Sequence, residues 1–272
     1  MKQDSFLYRP GLALFFAGLT ILFCIPCVHA DESAVVQTSA SAIPVADSSF
    51  TVVQRIYQSD ETVPAAQHRL LFDSGVIYDL PEIQQRIVTV YDPAKQQITM
   101  LDREAKNRTS VSTDQLVEFT AKVKAGAEQP TSLGIDAKVH PSDRVEGYTA
   151  AFSADHQGNH FEARYDVTTQ SAASRKMAED FGRFSDLSSR LNLLRHRGLP
   201  PFARMSISRK LTSLGVLPSE THLTVQRGDQ TQRFRSTALV EPMSGKDVET
   251  IKQVQGMMTM YRSVALDEFT NE

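Results

Sequence analysis

His156 and His160 stand four residues apart in DHQGNHFE, with Asp155 before them and Glu162 after, and are the densest group of metal-binding side chains in the chain. Two imidazoles with a carboxylate can hold Zn²⁺ or Cu²⁺. The same residues suit a solvated hairpin turn, which is the preferred reading, because no further histidine is tied to the pair and a helix-borne H-E-x-x-H pattern is absent. No metal or cofactor is expected. Serine, histidine and aspartate are plentiful, but the chain has no G-x-S-x-G, no G-x-G-x-x-G and no phosphate loop, so no enzymatic activity is expected. Asn107-Arg108-Thr109 fits the N-glycosylation pattern, with an ordinary turn asparagine as the preferred alternative.

Charge offers a second kind of chemistry. Between Leu187 and Ser219 the chain carries Arg190, Arg195, Arg197, Arg204, Arg209 and Lys210 with His196 and no acid. That stretch could form a patch for lipid phosphates or another anionic envelope surface. Its alternative is a solvated face whose charges pair with acids from elsewhere. The chain as a whole has 29 basic and 32 acidic residues, net −3. Nothing in that balance points to nucleic acid.

The elements that must position these groups are clearest from Arg86 to Gly126. Ile87–Tyr91 is extended by its β-branched and aromatic residues, Asp92-Pro93-Ala94-Lys95 turns, and Gln97–Asp102 returns. A third short strand, Arg108–Val111, follows. Ser112 with Gln115 three residues on then fits a capping box for a helix bearing Leu116, Phe119, Thr120 and Val123 on one side and ended by Gly126. Upstream, Phe50–Gln58 alternates as a strand, and His68–Phe72 and Val76–Leu80 form a hairpin about Asp73-Ser74-Gly75.

Downstream, Ile135–Val139 reads as a short edge strand ended by Pro141, and Arg144–Ala154 with His160–Thr168 as a long hairpin. Ser171–Arg197 is the longest helix. Its apolar stripe is Met177, Phe181, Phe184, Leu187, Leu191 and Leu194, which suits an element lying across the sheet. Pro200–Gly215 fits both a strand, through Ala203, Met205 and Ile207, and a helix, through Ile207, Leu211 and Leu214; a strand followed by a short helical turn is the reading adopted. Thr221–Gln226 and Gln232–Val240 form the last hairpin, and Ser244 caps a final helix with Asp247 in its first turn.

Residues 1–30 read as an export signal. Lys2 and Arg9 lie before an apolar run from Gly11 to Val28, and Val28-His29-Ala30 approximates a signal-peptidase site. The run is ~18 residues, close to the roughly 20 that span a bilayer, so residues 11–28 retained as a membrane anchor is the alternative. The expected location is periplasmic or extracellular in either case. Both cysteines, Cys24 and Cys27, lie inside the signal, so the exported part has neither thiol nor disulfide. Removing Lys2, Arg9 and Asp4 with the signal moves the charge from −3 to −4. Residues 31–49 are rich in serine and alanine and read as a flexible leader, and 50–272 as a single domain.

The expected fold is α+β: a large, strongly curved antiparallel sheet, half-barrel-like and of about twelve strands, with amphipathic helices on its concave face. Tyr91-Asp92-Pro93, Ile98–Arg103 and Arg108-Thr109, within a span from Phe50 to Val240, are similar to strand pairs of the periplasmic lipoprotein-carrier half-barrel superfamily. The resemblance implies an apolar cavity for acyl chains between sheet and helices. On it, Met177, Phe181, Phe184, Leu187, Leu191 and Leu194 would line the ligand, and the partner would be a lipid or acyl chain. The other expectation is a structural or interaction protein of the envelope with a filled core. The final helix, Gly245–Arg262, has no counterpart in that superfamily.

Overall fold

The computed structural model describes residues 49–83, 85–156, 159–195 and 199–270, which fall in one compact unit. The expected signal over 1–30, the leader up to 48, His196 and Arg197 lie outside the described residues. Successive antiparallel hairpins build the first half from β1 (Phe50–Gln58), β2 (Ala66–Asp73), β3 (Val76–Pro81), β4 (Ile87–Asp92), β5 (Gln97–Asp102) and β6 (Asn107–Ser112). Helix α1 (Thr113–Ala125) follows with the expected capping box: Gln115 N donates to Ser112 Oγ at 3.1 Å, and Ser112 N donates to Gln115 Oε1 at 3.0 Å.

The second half adds β7 (His140–Pro141), β8 (Gly147–His156), β9 (Asn159–Ser171), α2 (Arg175–Leu194), α3 (Phe202–Leu214), β10 (Val216–Arg227) and β11 (Gln230–Pro242). It ends with α4 (Gly245–Met260), β12 (Arg262–Ser263) and α5 (Leu266–Thr270). The twelve strands form one open sheet in the order β12-β6-β5-β4-β3-β2-β1-β11-β10-β9-β8-β7. Pairing of β1 with β11, from Phe50 opposite Pro242 to Gln58 opposite Phe234, joins the two halves. Only β12, beside β6, runs parallel to its neighbour. The fold is thus α+β with a large, almost wholly antiparallel sheet.

Strand alternation assigns each helix to a face. Val52, Leu70, Phe72, Ile77, Tyr91, Ile98, Met100 and Val111 share one face and pack with Leu116 of α1, the α2 stripe and Phe269 of α5. Following the register through Val240 and Ala238 of β11 to Leu223 of β10 and Tyr165 of β9 shows that α3 lies on this same face, through Ala203, Ile207 and Leu211. On the opposite face Leu71, Tyr78, Leu80, Val88, Val90 and Leu101 are covered by Ile251 and Val254 of α4. The β2–β5 part is therefore three layers deep.

Two sequence expectations change. Phe202–Leu214 is a helix throughout: Ala203, Ile207 and Leu211, each four apart, bury one side, and Gly215 at φ 71° ends it. The strand-like alternation of Ala203, Met205 and Ile207 arises because the first turns of α3 are buried on more than one side. The edge strand expected at Ile135–Val139 is confined to His140–Pro141; Pro130–Leu133 is a 3-10 turn, and Ala137 and Val139 fold over Phe152 and its neighbours.

Candidate functional site

The α2 stripe is the ligand wall that the half-barrel resemblance implies, and the structure brings its six residues together against the sheet. Ser174 caps the helix by accepting from Met177 N at 3.2 Å. Phe181, Phe184, Leu187 and Leu191 are buried, and Met177 and Leu194 pack beside them half-buried. Phe184 meets Phe72 edge-on at 6.2 Å and Tyr91 edge-on at 5.4 Å between ring centroids. Phe181 lies 6.3 Å from Phe72, which stacks on Phe50 at 4.2 Å. These are the separations of aromatic rings in direct contact. Burial raises the Tyr91 hydroxyl well above the ordinary tyrosine range.

The described residues of the basic stretch lie on two neighbouring helices, Arg190 and Arg195 toward the end of α2 and Arg204, Arg209 and Lys210 on α3. Arg190 is engaged by Asp186 on its own helix, with Nε 2.6 Å from Oδ2 and Nη2 3.3 Å from Oδ1. Arg204 is half-buried, whereas Arg209 and Lys210 are exposed on α3, with Lys210 Nζ 5.8 Å from the Tyr148 ring. Arg195, at the end of α2, is held by an interaction within the protein. Arg197 lies outside the described residues.

At the β8–β9 turn His160 Nδ1 is 2.9 Å from Asp155 Oδ1, and Nε2 is 4.0 Å from Glu162 Oε2. Among the described residues, no three His, Cys, Asp or Glu side chains are grouped to hold a metal ion. Asn107 begins β6 and is only 2% exposed, which leaves no room for a glycan in the folded protein.

Alternation along six strands also builds a polar surface that the sequence reading missed. On the face opposite α3 the register sets Tyr57, Arg235, His222, Asp166, Thr149 and His140 side by side across β1, β11, β10, β9, β8 and β7. The Arg235 guanidinium lies 4.1 Å from the Tyr57 ring centre and 3.8 Å from Glu220, whose other oxygen is 2.5 Å from His222 Nε2. Asp166 accepts from Ser142 Oγ at 3.0 Å and Arg164 Nε at 3.1 Å, and Arg164 also reaches Asp143 at 2.6 Å. Burial pushes the Asp166 carboxyl up, but hydrogen bonding from Thr149, Arg164 and Ser142 together with the Arg164 charge outweighs it and holds it below the usual carboxylate range.

A cleft of about 260 Å³ opens at one end of this face, where the loop at Asp60 and Glu61 approaches His222, Arg233 and Arg235. The alternation of Glu220, His222, Thr224 and Gln226 with that of Arg233, Arg235 and Thr237 was the sequence signal for it. Beside the cleft, Glu220 pairs with His222 and Arg235, and Arg164 with Asp143 and Asp166.

Among the described residues no helix is long and apolar enough to cross a membrane. No protein-family model and no curated protein matches the chain. Solved structures of PNGF-II in P21 and C2 crystals align at 11% and 10% identity, each with a TM-score of 0.33. Each alignment covers 80% of this chain and 31% of the other, and at that similarity neither bears on fold or function.

Proposed function

We propose that this chain is an exported, non-enzymatic interaction protein of the cell envelope, with an interior filled by its own side chains. The observation that carries this reading is the packing of α2: Leu191 is 2% exposed and Phe184 4%, each in contact with the sheet's buried face. A carrier of the half-barrel type would use the same stripe as the wall of an acyl-chain cavity. The contacts of Phe181 and Phe184 with Phe72 and Tyr91 on the sheet support a core over a lid. The open polar face of β1, β11, β10, β9 and β8 is then the surface available for contacts. If residues 11–28 are retained, the same domain would work tethered to the membrane.

Leu191→Ala tests this reading. As a core residue, Leu191 should cost about 2–5 kcal/mol in equilibrium unfolding when truncated. A cost well below that range, accompanied by altered uptake of a fluorescent fatty acid, would make α2 a lid and return the carrier reading.

A further inference from the structure

The two edges of the sheet are finished differently. At the β6 edge, Arg262–Ser263 pair with Asn107–Arg108, Val264 N donates to Arg108 O at 2.9 Å, and Phe269 anchors the strap in the core. At the other edge β7 is two residues long and pairs only with Thr149 and Tyr148 of β8. Ser142 N also donates to Gly147 O at 3.0 Å, so the Gly147 backbone points outward, away from β9.

The β8–β9 register is unbroken from Gly147 to His156, and outward groups recur every second residue in an antiparallel ladder. Beyond Thr149 the outward backbone groups therefore belong to Ala151, Ser153 and Asp155. All three residues are exposed, and among the described residues no strand pairs with them. An open edge is normally protected by lysine, proline or a bulge. The sequence of β8, GYTAAFSADH, has no lysine or proline, and its ladder has no bulge.

We propose that this edge joins a second copy of the chain, β8 against β8, antiparallel about a two-fold axis at Ser153, so that one sheet runs through both molecules. The proposal deepens the interaction reading and rests on it. Three open residues centred on Ser153 match themselves under that rotation. Ser153 meets Ser153 of the second copy, and Ala151 meets Asp155 on each side, with every pair exchanging two backbone hydrogen bonds.

Side chains fit the same register. On the covered face Phe152 falls opposite Ala154 of the second copy, large against small. On the open face Asp155 falls opposite Ala151 of the second copy. The methyl group there leaves a path to Arg164, the residue paired with Ala151 on β9. No like charges are placed directly opposite each other.

Sedimentation equilibrium of the protein as processed by its host should give twice the chain mass. The amides of Ala151, Ser153 and Asp155 should exchange slowly when concentrated and fast on dilution. Ser153→Pro removes only an outward N–H and should weaken the dimer at least about tenfold, the effect of losing two hydrogen bonds, with an unchanged far-UV spectrum. Ser153→Lys, which faces Glu162 on β9 within its own chain but sets two like charges opposite each other at the proposed two-fold axis, should do the same and decides the matter if the proline variant fails to fold. A single-chain mass at every concentration, or a dimer that survives the folded variants, would overturn the proposal. The Leu191→Ala test of the interior does not depend on this edge, so the two readings can fail separately.

Discussion

Asp247 is the residue through which acid should act most directly on the fold. It is 3% exposed and ties α4 to β2: Arg69 Nε and Nη2 reach its two oxygens at 2.6 and 3.0 Å, and Ser244 N and Oγ donate at 2.8 and 2.7 Å. Burial alone would raise its carboxyl, but the hydrogen bonds from Arg69 and Ser244 and the Arg69 charge lower it to about 2. A carboxylate whose folded pKa is depressed stabilises above its unfolded value near 3.8, and that contribution is lost as pH falls toward about 2. The shift corresponds to roughly 2 kcal/mol. Unfolding free energies followed downward from about pH 5 should show that loss in the wild type. In Asp247→Asn it should be much reduced; an identical acid slope in the two proteins would remove Asp247 from this role. The cap at Ser244 was legible locally, but Arg69 is 178 positions away and no local pattern connects the two.

At the scale of elements, helices whose apolar residues fall in one stripe were readable, and α3, whose apolar residues do not, was not. The α2 stripe and the caps of α1 and α4 follow from spacing alone. Helix α3 was misread because Ala203, Met205 and Ile207 are all buried, so its period was masked by neighbours on two sides. One neighbour is α2 itself. Gly182 faces Thr212 of α3 so closely that a Cβ there would lie 2.1 Å from Thr212 Oγ1, which is held by its donation to Ser208 O at 2.9 Å. Gly182→Ala should therefore force the helices apart and cost about 1–3 kcal/mol despite alanine's better helix propensity. Adding Thr212→Ala should restore most of the loss in thermal unfolding. A stabilised single variant would mean that α2 and α3 are not locked at this point.

For the molecule as a whole, period-two alternation and turn residues made the sheet legible almost strand by strand. The polar row from Tyr57 to His140 was not, since it exists only once six strands are in register. Nor did the sequence show that α4 covers the face opposite α2. Its apolar residues fit either face, and the choice is made by Arg69 and the apolar side that Leu71, Tyr78 and Val90 form on β2, β3 and β4.

Whether the interior is a filled core or a carrier's cavity is a property of the whole sheet and its helices together. Native mass spectrometry of gently purified protein, followed by fatty-acid uptake on the same sample, addresses it most directly. A filled interior gives only the mass of the polypeptide, alone or as a dimer, and no uptake. A reproducible lipid adduct that dissociates from the folded chain would contradict it.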